Sequence, residues 1–142
     1  MNPNPEAPSA AELQANPVVQ AAFMAAWADS FPDDPILRHE EGGYIYVNAT
    51  TGEVIVRRVP PGLRDELRLG NPAVLANCYL VATFHTHPNP VAEGWIPDPS
   101  PEDMEGANDS GVPWFVITES DVFVVGPDRR VGGLSGPGGY PL

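Results

Sequence analysis

Hydrophobic positions along this chain follow two periods, and the change from one to the other lays out its elements. From Pro17 to about Ser30 the run is alanine-rich, and Val19, Phe23, Ala26, Trp27 and Ser30 recur on one face at helical spacing. Asn16 reads as the N-cap of this helix, with Pro17 pre-set for its first position. Ahead of it, Ser9-Ala10-Ala11-Glu12 has the form of a capping box, and Pro17 limits the helix it starts to a short turn. Phe31-Pro32-Asp33-Asp34-Pro35 then breaks the helical pattern.

Beyond that break the apolar residues are β-branched or aromatic and come in short runs. Tyr44-Ile45-Tyr46-Val47 and Glu53 to Val59 flank a turn at Asn48 to Gly52 and predict a hairpin. Pro60-Pro61-Gly62 interrupts; Leu63 to Gly70 suits an exposed loop or short helix, and Asn71-Pro72 can cap another through Ala76. Cys78 to Thr83 is an apolar run that reads as a buried strand. Ser100, followed by Pro101 and the acids Glu102 and Asp103, starts a helix that runs to about Asn108. Pro113 to Thr118 and Asp121 to Val125 predict a second hairpin around Glu119-Ser120. Residues 1–8 read as a disordered tail and 132–142 as a mobile Gly/Pro tail, leaving one domain over 9–131. The order of elements predicts an α+β domain with a mixed sheet flanked by helices.

Composition narrows the setting. A chain of 142 residues can build a core without staples. Lys+Arg 7 against Asp+Glu 19 gives a net charge of −12, which argues against nucleic acid or an anionic membrane as partner and would suit a basic one. The single Cys78 permits no internal disulfide, no apolar run is long enough to span a membrane, and the proline-rich start is not a signal peptide. A reducing cytoplasm is the expected compartment.

Candidate chemistry concentrates at Phe84-His85-Thr86-His87-Pro88. On a strand, residues i and i+2 leave by the same face about 6–7 Å apart, so both imidazoles can converge on one ion before Pro88 ends the strand. A bare His-x-His is more often a pair of surface histidines. Here it is followed by Ser100-Pro101-Glu102-Asp103 and preceded by Glu40-Glu41-Gly42-Gly43. An upstream Glu, then His-x-His-Pro, then Ser-x-x-Asp resembles the signature of the JAMM (MPN-plus) metallopeptidase family. The resemblance covers roughly residues 38 to 126 and suggests a compact prokaryotic-type member.

That resemblance implies a curved β-sheet with helices packed on it, in a cytidine-deaminase-like layering. It also implies a deubiquitinase-like zinc hydrolase, an isopeptidase that processes a ubiquitin-like protein or its conjugates. His85, His87 and Asp103 would hold Zn2+, a donor set that leaves one position open and lowers the pKa of bound water to about 7. Glu40, with Glu41 as fallback, would be the general base, and Ser100 would donate to the developing oxyanion. The stretch from His87 to Ser100 is longer than the family usually has. It puts Asn89 to Pro99 into a stiff loop whose Trp95 would lie beside the substrate. Asp103 is preferred to Asp98 because only Asp103 has Ser three residues before it. The unused one of Glu40 and Glu41 is expected in a solvated turn, and His39 on the surface. Three alternatives stand beside this reading: a catalytically silent MPN-type scaffold, a peptidase or toxin effector acting on other peptides, and a thiol hydrolase using Cys78.

Overall fold

The computed structural model of the protein describes residues 7–135, in an α+β arrangement of one six-stranded mixed sheet and three α-helices. The helices are α1 (Ala10–Ala15), α2 (Pro17–Asp29) and α3 (Pro101–Ser110); the strands are β1 (Gly42–Asn48), β2 (Val54–Arg58), β3 (Cys78–Thr86), β4 (Trp114–Ile117), β5 (Asp121–Val125) and β6 (Val131–Ser135). Strand order is β2-β1-β3-β4-β5-β6, antiparallel throughout except for the parallel pair β3–β4. A parallel pair needs a long crossover, and α3 lies within it.

Helix starts follow the local chemistry. Glu12 N–H donates to Ser9 Oγ and Ser9 N–H to Glu12 Oε1, which completes the capping box of α1. Asn16 Oδ1 accepts from Val18 N–H at 2.8 Å to open α2. The predicted face of α2 is the inward one: Val19, Phe23, Ala26 and Ser30 are buried, and Trp27 is half-buried against the core. Phe23 sits 5.2 Å, ring to ring, from both Phe84 on β3 and Phe115 on β4 and so fixes the helix over the sheet centre. Strand alternation then sends their neighbours His85 and Trp114 to the opposite face, where α3 packs.

α3 approaches that face closely. A Cβ added at Gly106 would stand 2.1 Å from the ring of Trp114. Gly106→Ala should therefore lower stability by about 1–3 kcal/mol in chemical denaturation, although alanine is the better helix former. A neutral or stabilising result would mean that Trp114 can swing away freely.

Three expectations need correction. The short helix expected from Asn71-Pro72 through Ala76 does not form, since Gly70 and Pro72 interrupt the pattern and Val74 is exposed, while Leu63 to Gly70 takes the loop form of its two expected ones. Instead the segment is held as a loop, with Tyr44 Oη donating to Leu69 O at 2.9 Å and Tyr46 Oη to Ala73 O at 2.7 Å. The Gly/Pro tail expected from residue 132 does not begin there, because Val131–Ser135 pairs with β5. The turn between them carries Arg129 at φ 69°, closed by Gly126 N–H to Arg130 O at 2.8 Å. At the other end Ala7 packs against the core, so the predicted tail does not reach residue 8; the remainder of both tails lies outside the described residues. No helix among the described residues is long and apolar enough to cross a membrane.

Candidate metal centre

The C-terminal end of β3 carries the site. His85 is its penultimate residue, paired with Gly42 on one side and Val116 on the other. His87 lies just past the strand, but its N–H donates to Ile117 O at 2.8 Å, so the extended alternation carries through and the two imidazole centroids stand 5.0 Å apart. Between them Thr86 points to the α2 face. There it meets Ser30 Oγ at 2.7 Å and accepts from Glu41 N–H at 3.0 Å, which ties the end of α2 to both histidine-bearing positions. Gly42 lets β1 come close beside them, since a Cβ there would meet Phe84 O at 2.3 Å.

Asp103 arrives from the first turn of α3. Its Oδ2 accepts from Ser100 N–H at 2.8 Å, and its own N–H donates to Ser100 Oγ at 3.2 Å. The capping box thus fixes the carboxylate, whose Oδ1 is 2.9 Å from His85 Nε2 and whose Oδ2 is 3.4 Å from His87 Nε2. The fourth group is Glu40, 5 % exposed, which enters from the segment before β1. Glu40, His85 and His87 offer ligand atoms within 4.8 Å of one another, a cluster that can hold a metal ion. Asp103 is within reach of both imidazoles as well, so two carboxylates compete for the third ligand position.

Electrostatics separates those carboxylates. Burial pushes the Glu40 carboxyl up to about 7; His85 pulls it back, while Asp103, Asp65 and Glu66 add to the rise. Burial acts on Asp103 in the same direction, but the hydrogen bond and charge of His85, with help from His87 and Ser100, hold it well below the usual carboxylate range. Burial works against a charged His85, yet the hydrogen bond and charge of Asp103 keep its pKa raised. Burial and the neighbouring His85 lower that of His87. Without an ion, the surroundings thus favour a proton on His85 beside the Asp103 carboxylate and disfavour one on His87.

The donor set fits a divalent ion. His87 Nδ1 lies 2.7 Å from Pro97 O, and a proton there leaves Nε2 as a bare ligand, the usual arrangement of a metal-bound histidine. Among the described residues His85 Nδ1 has no hydrogen-bond partner, so there that ring makes its polar contacts through Nε2.

Around the centre lies a cavity of about 560 Å³, whose walls include Trp95, Ser100, Asn89 and Trp114. Every site residue expected from the sequence is brought here: Glu40, His85, His87, Ser100 and Asp103, with Trp95 on the wall. Ser100 is the helix cap foreseen for it, and accepting the Asp103 N–H leaves its O–H to donate elsewhere. The loop Asn89–Pro99 is pinned at several points. Buried Arg38 clasps Glu93 through both of its terminal nitrogens, Val91 N–H donates to Glu119, and Asn89 Nδ2 donates to Arg64 O.

Glu41, the fallback for Glu40, is not on the cavity wall, nor does it sit in a solvated turn. It is buried, with its oxygens 2.5 Å from His39 Nε2 and Arg58 Nη2. His39 is accordingly half-buried and partnered, where the sequence suggested a surface residue. Cys78 begins β3 at the end remote from His85 and takes no part in the cavity wall. Sequence reasoning missed the wall residues Asp65, Glu66, Asn89 and Trp114; no motif marks them, because they come together only through the loop and strand packing. No protein-family model matches the chain, and no curated protein matches it.

Proposed function

We propose that the protein is a JAMM-type zinc metallopeptidase that cuts a peptide or isopeptide bond joining a ubiquitin-like protein to its partner. The observation that carries this reading is the convergence of two buried carboxylates on one pair of imidazoles. Asp103 reaches both His85 and His87, whereas Glu40 stands in the same cluster with a carboxyl that burial pushes up to about 7 in the absence of an ion. His85, His87 and Asp103 are then the ligands. A bound divalent ion supplies a Lewis acid for the carbonyl and acidifies a water. Glu40 takes the proton of the attacking water and returns it to the leaving amine. The Ser100 O–H donates to the carbonyl oxygen as charge builds there. Trp95 and the pinned loop around it hold an extended tail along the wall.

A second reading rests on the capping box. Ser100 and Asp103 satisfy each other's backbone groups, as they would in a silent MPN-type scaffold with no chemistry to perform. Elemental analysis and a cleavage assay separate the two. The metallopeptidase is expected to carry about one zinc per chain, to lose it in His87→Ala, and to cleave a fusion whose ubiquitin-like tail precedes the scissile bond. No stoichiometric metal after zinc is supplied would overturn the proposal.

A further inference from the structure

The cavity wall has a one-sided chemistry. Besides Glu40 and Asp103 it presents four more carboxylates, from Asp65 and Glu66 on one loop and from Asp98 and Glu102 on the facing wall, and neither lysine nor arginine lines it. Among the described residues the one ion pair made by these four joins Glu66 to Arg68 at 3.1 Å, with both partners exposed, and such a pair offsets little of the local field. A divalent ion would still leave the cavity strongly negative, and a concave wall focuses that field on whatever enters.

A second observation points the same way. Asn89 is 6 % exposed and lines the cavity, and its Oδ1 has no hydrogen-bond donor among the described residues. Its orientation is fixed, because the amide nitrogen donates to Arg64 O at 2.8 Å. A buried acceptor left open in this way is costly until a ligand brings a donor. Two indoles, Trp95 and Trp114, also line the cavity, and an indole ring can hold a cation. Carboxylates, an open acceptor and two indoles ask for the same guest: a cation rich in N–H groups.

We infer that the polypeptide segment bound in this cavity is basic, with lysine or arginine side chains next to the bond that is cut. The inference rests on the proposed peptidase reading for the word "cut", but the preference for a basic segment does not. Its test is binding of two labelled peptides of equal length, one arginine- and lysine-rich and one aspartate- and glutamate-rich, followed by fluorescence anisotropy with zinc present. The basic peptide should bind at least about tenfold more tightly, and the advantage should shrink as salt is raised. The pairs Asp65→Asn with Glu66→Gln, and Asp98→Asn with Glu102→Gln, should each weaken it about fivefold. The exposed pair Glu53→Gln with Asp109→Asn, which removes equal charge outside the cavity wall, should leave it unchanged. Equal affinity for the two peptides, or an equal loss in the remote pair, would overturn the inference. A basic peptide that binds as expected yet stays intact with the zinc-loaded protein would count against the peptidase reading instead.

Discussion

Replacing Asp103 with alanine is expected to be the most damaging single change at this site. Asp103 accepts the Ser100 N–H, pairs with His85 at 2.9 Å, and stands 3.4 Å from His87, all while 6 % exposed. Removing one member of a buried pair leaves an uncompensated charge, which costs about 3–5 kcal/mol. Urea unfolding of the metal-free variant at neutral pH should show a loss of that size. Zinc affinity should fall by more than about a hundredfold, since even groups behind the ligands are worth ten- to a hundredfold. The sign with pH is set by a folded-state pKa below the unfolded one. The contribution is present above the unfolded carboxylate pKa of about 4 and fades as pH falls below it, so the two proteins should converge in acid. Asp103→Asn keeps an oxygen for the cap and isolates the loss of charge. If alanine cost less than about 1 kcal/mol, the pair would be an ordinary surface contact.

Glu40→Gln should do the opposite to stability while abolishing turnover. Glu40 carries a pKa raised by burial to about 7, so the folded state prefers it protonated. Stability of the metal-free protein is therefore full below the unfolded value of about 4.3 and declines as pH rises through 7. A glutamine has no such penalty, and at pH of about 8 the variant should be more stable than wild type by up to roughly 3 kcal/mol, the difference vanishing near pH 4. Zinc-dependent cleavage should fall by about 10²–10⁴, the usual contribution of a general base, with metal content unchanged. Loss of the metal along with activity would identify Glu40 as a ligand, the alternative that its place in the cluster leaves open.

Most of the centre is legible in the sequence because each group's position follows from a local rule. Alternation puts His85 and His87 on one side of a strand, and a cap with Pro101 at the first position fixes where Asp103 points. Glu40 could be told from Glu41 only by packing: the two are adjacent, and it is Arg58 on β2 and His39 that draw Glu41 away. β6 escaped notice because Val131-Gly132-Gly133-Leu134-Ser135 has no alternating pattern; its pairing with β5 comes from the turn before it. The loop at 60–77 carries no periodicity at all, yet it supplies one wall of the cavity. Long-range neighbours of this kind leave no trace at the level of single segments.

The register around β3 also bears on the order in which the molecule assembles. His85 lies opposite Gly42, 43 residues earlier, and Val116, 31 residues later, so the centre exists only once both strand pairings have closed. Closing loops of that length is paid in chain entropy before any contact repays it, which makes these pairings late events in folding. An ion that needs all of its ligands together finds nothing to bind in the partly folded chain. Bound to the finished protein it would act as a latch: its binding energy would raise the barrier to unfolding and leave the climb toward the folded state almost untouched.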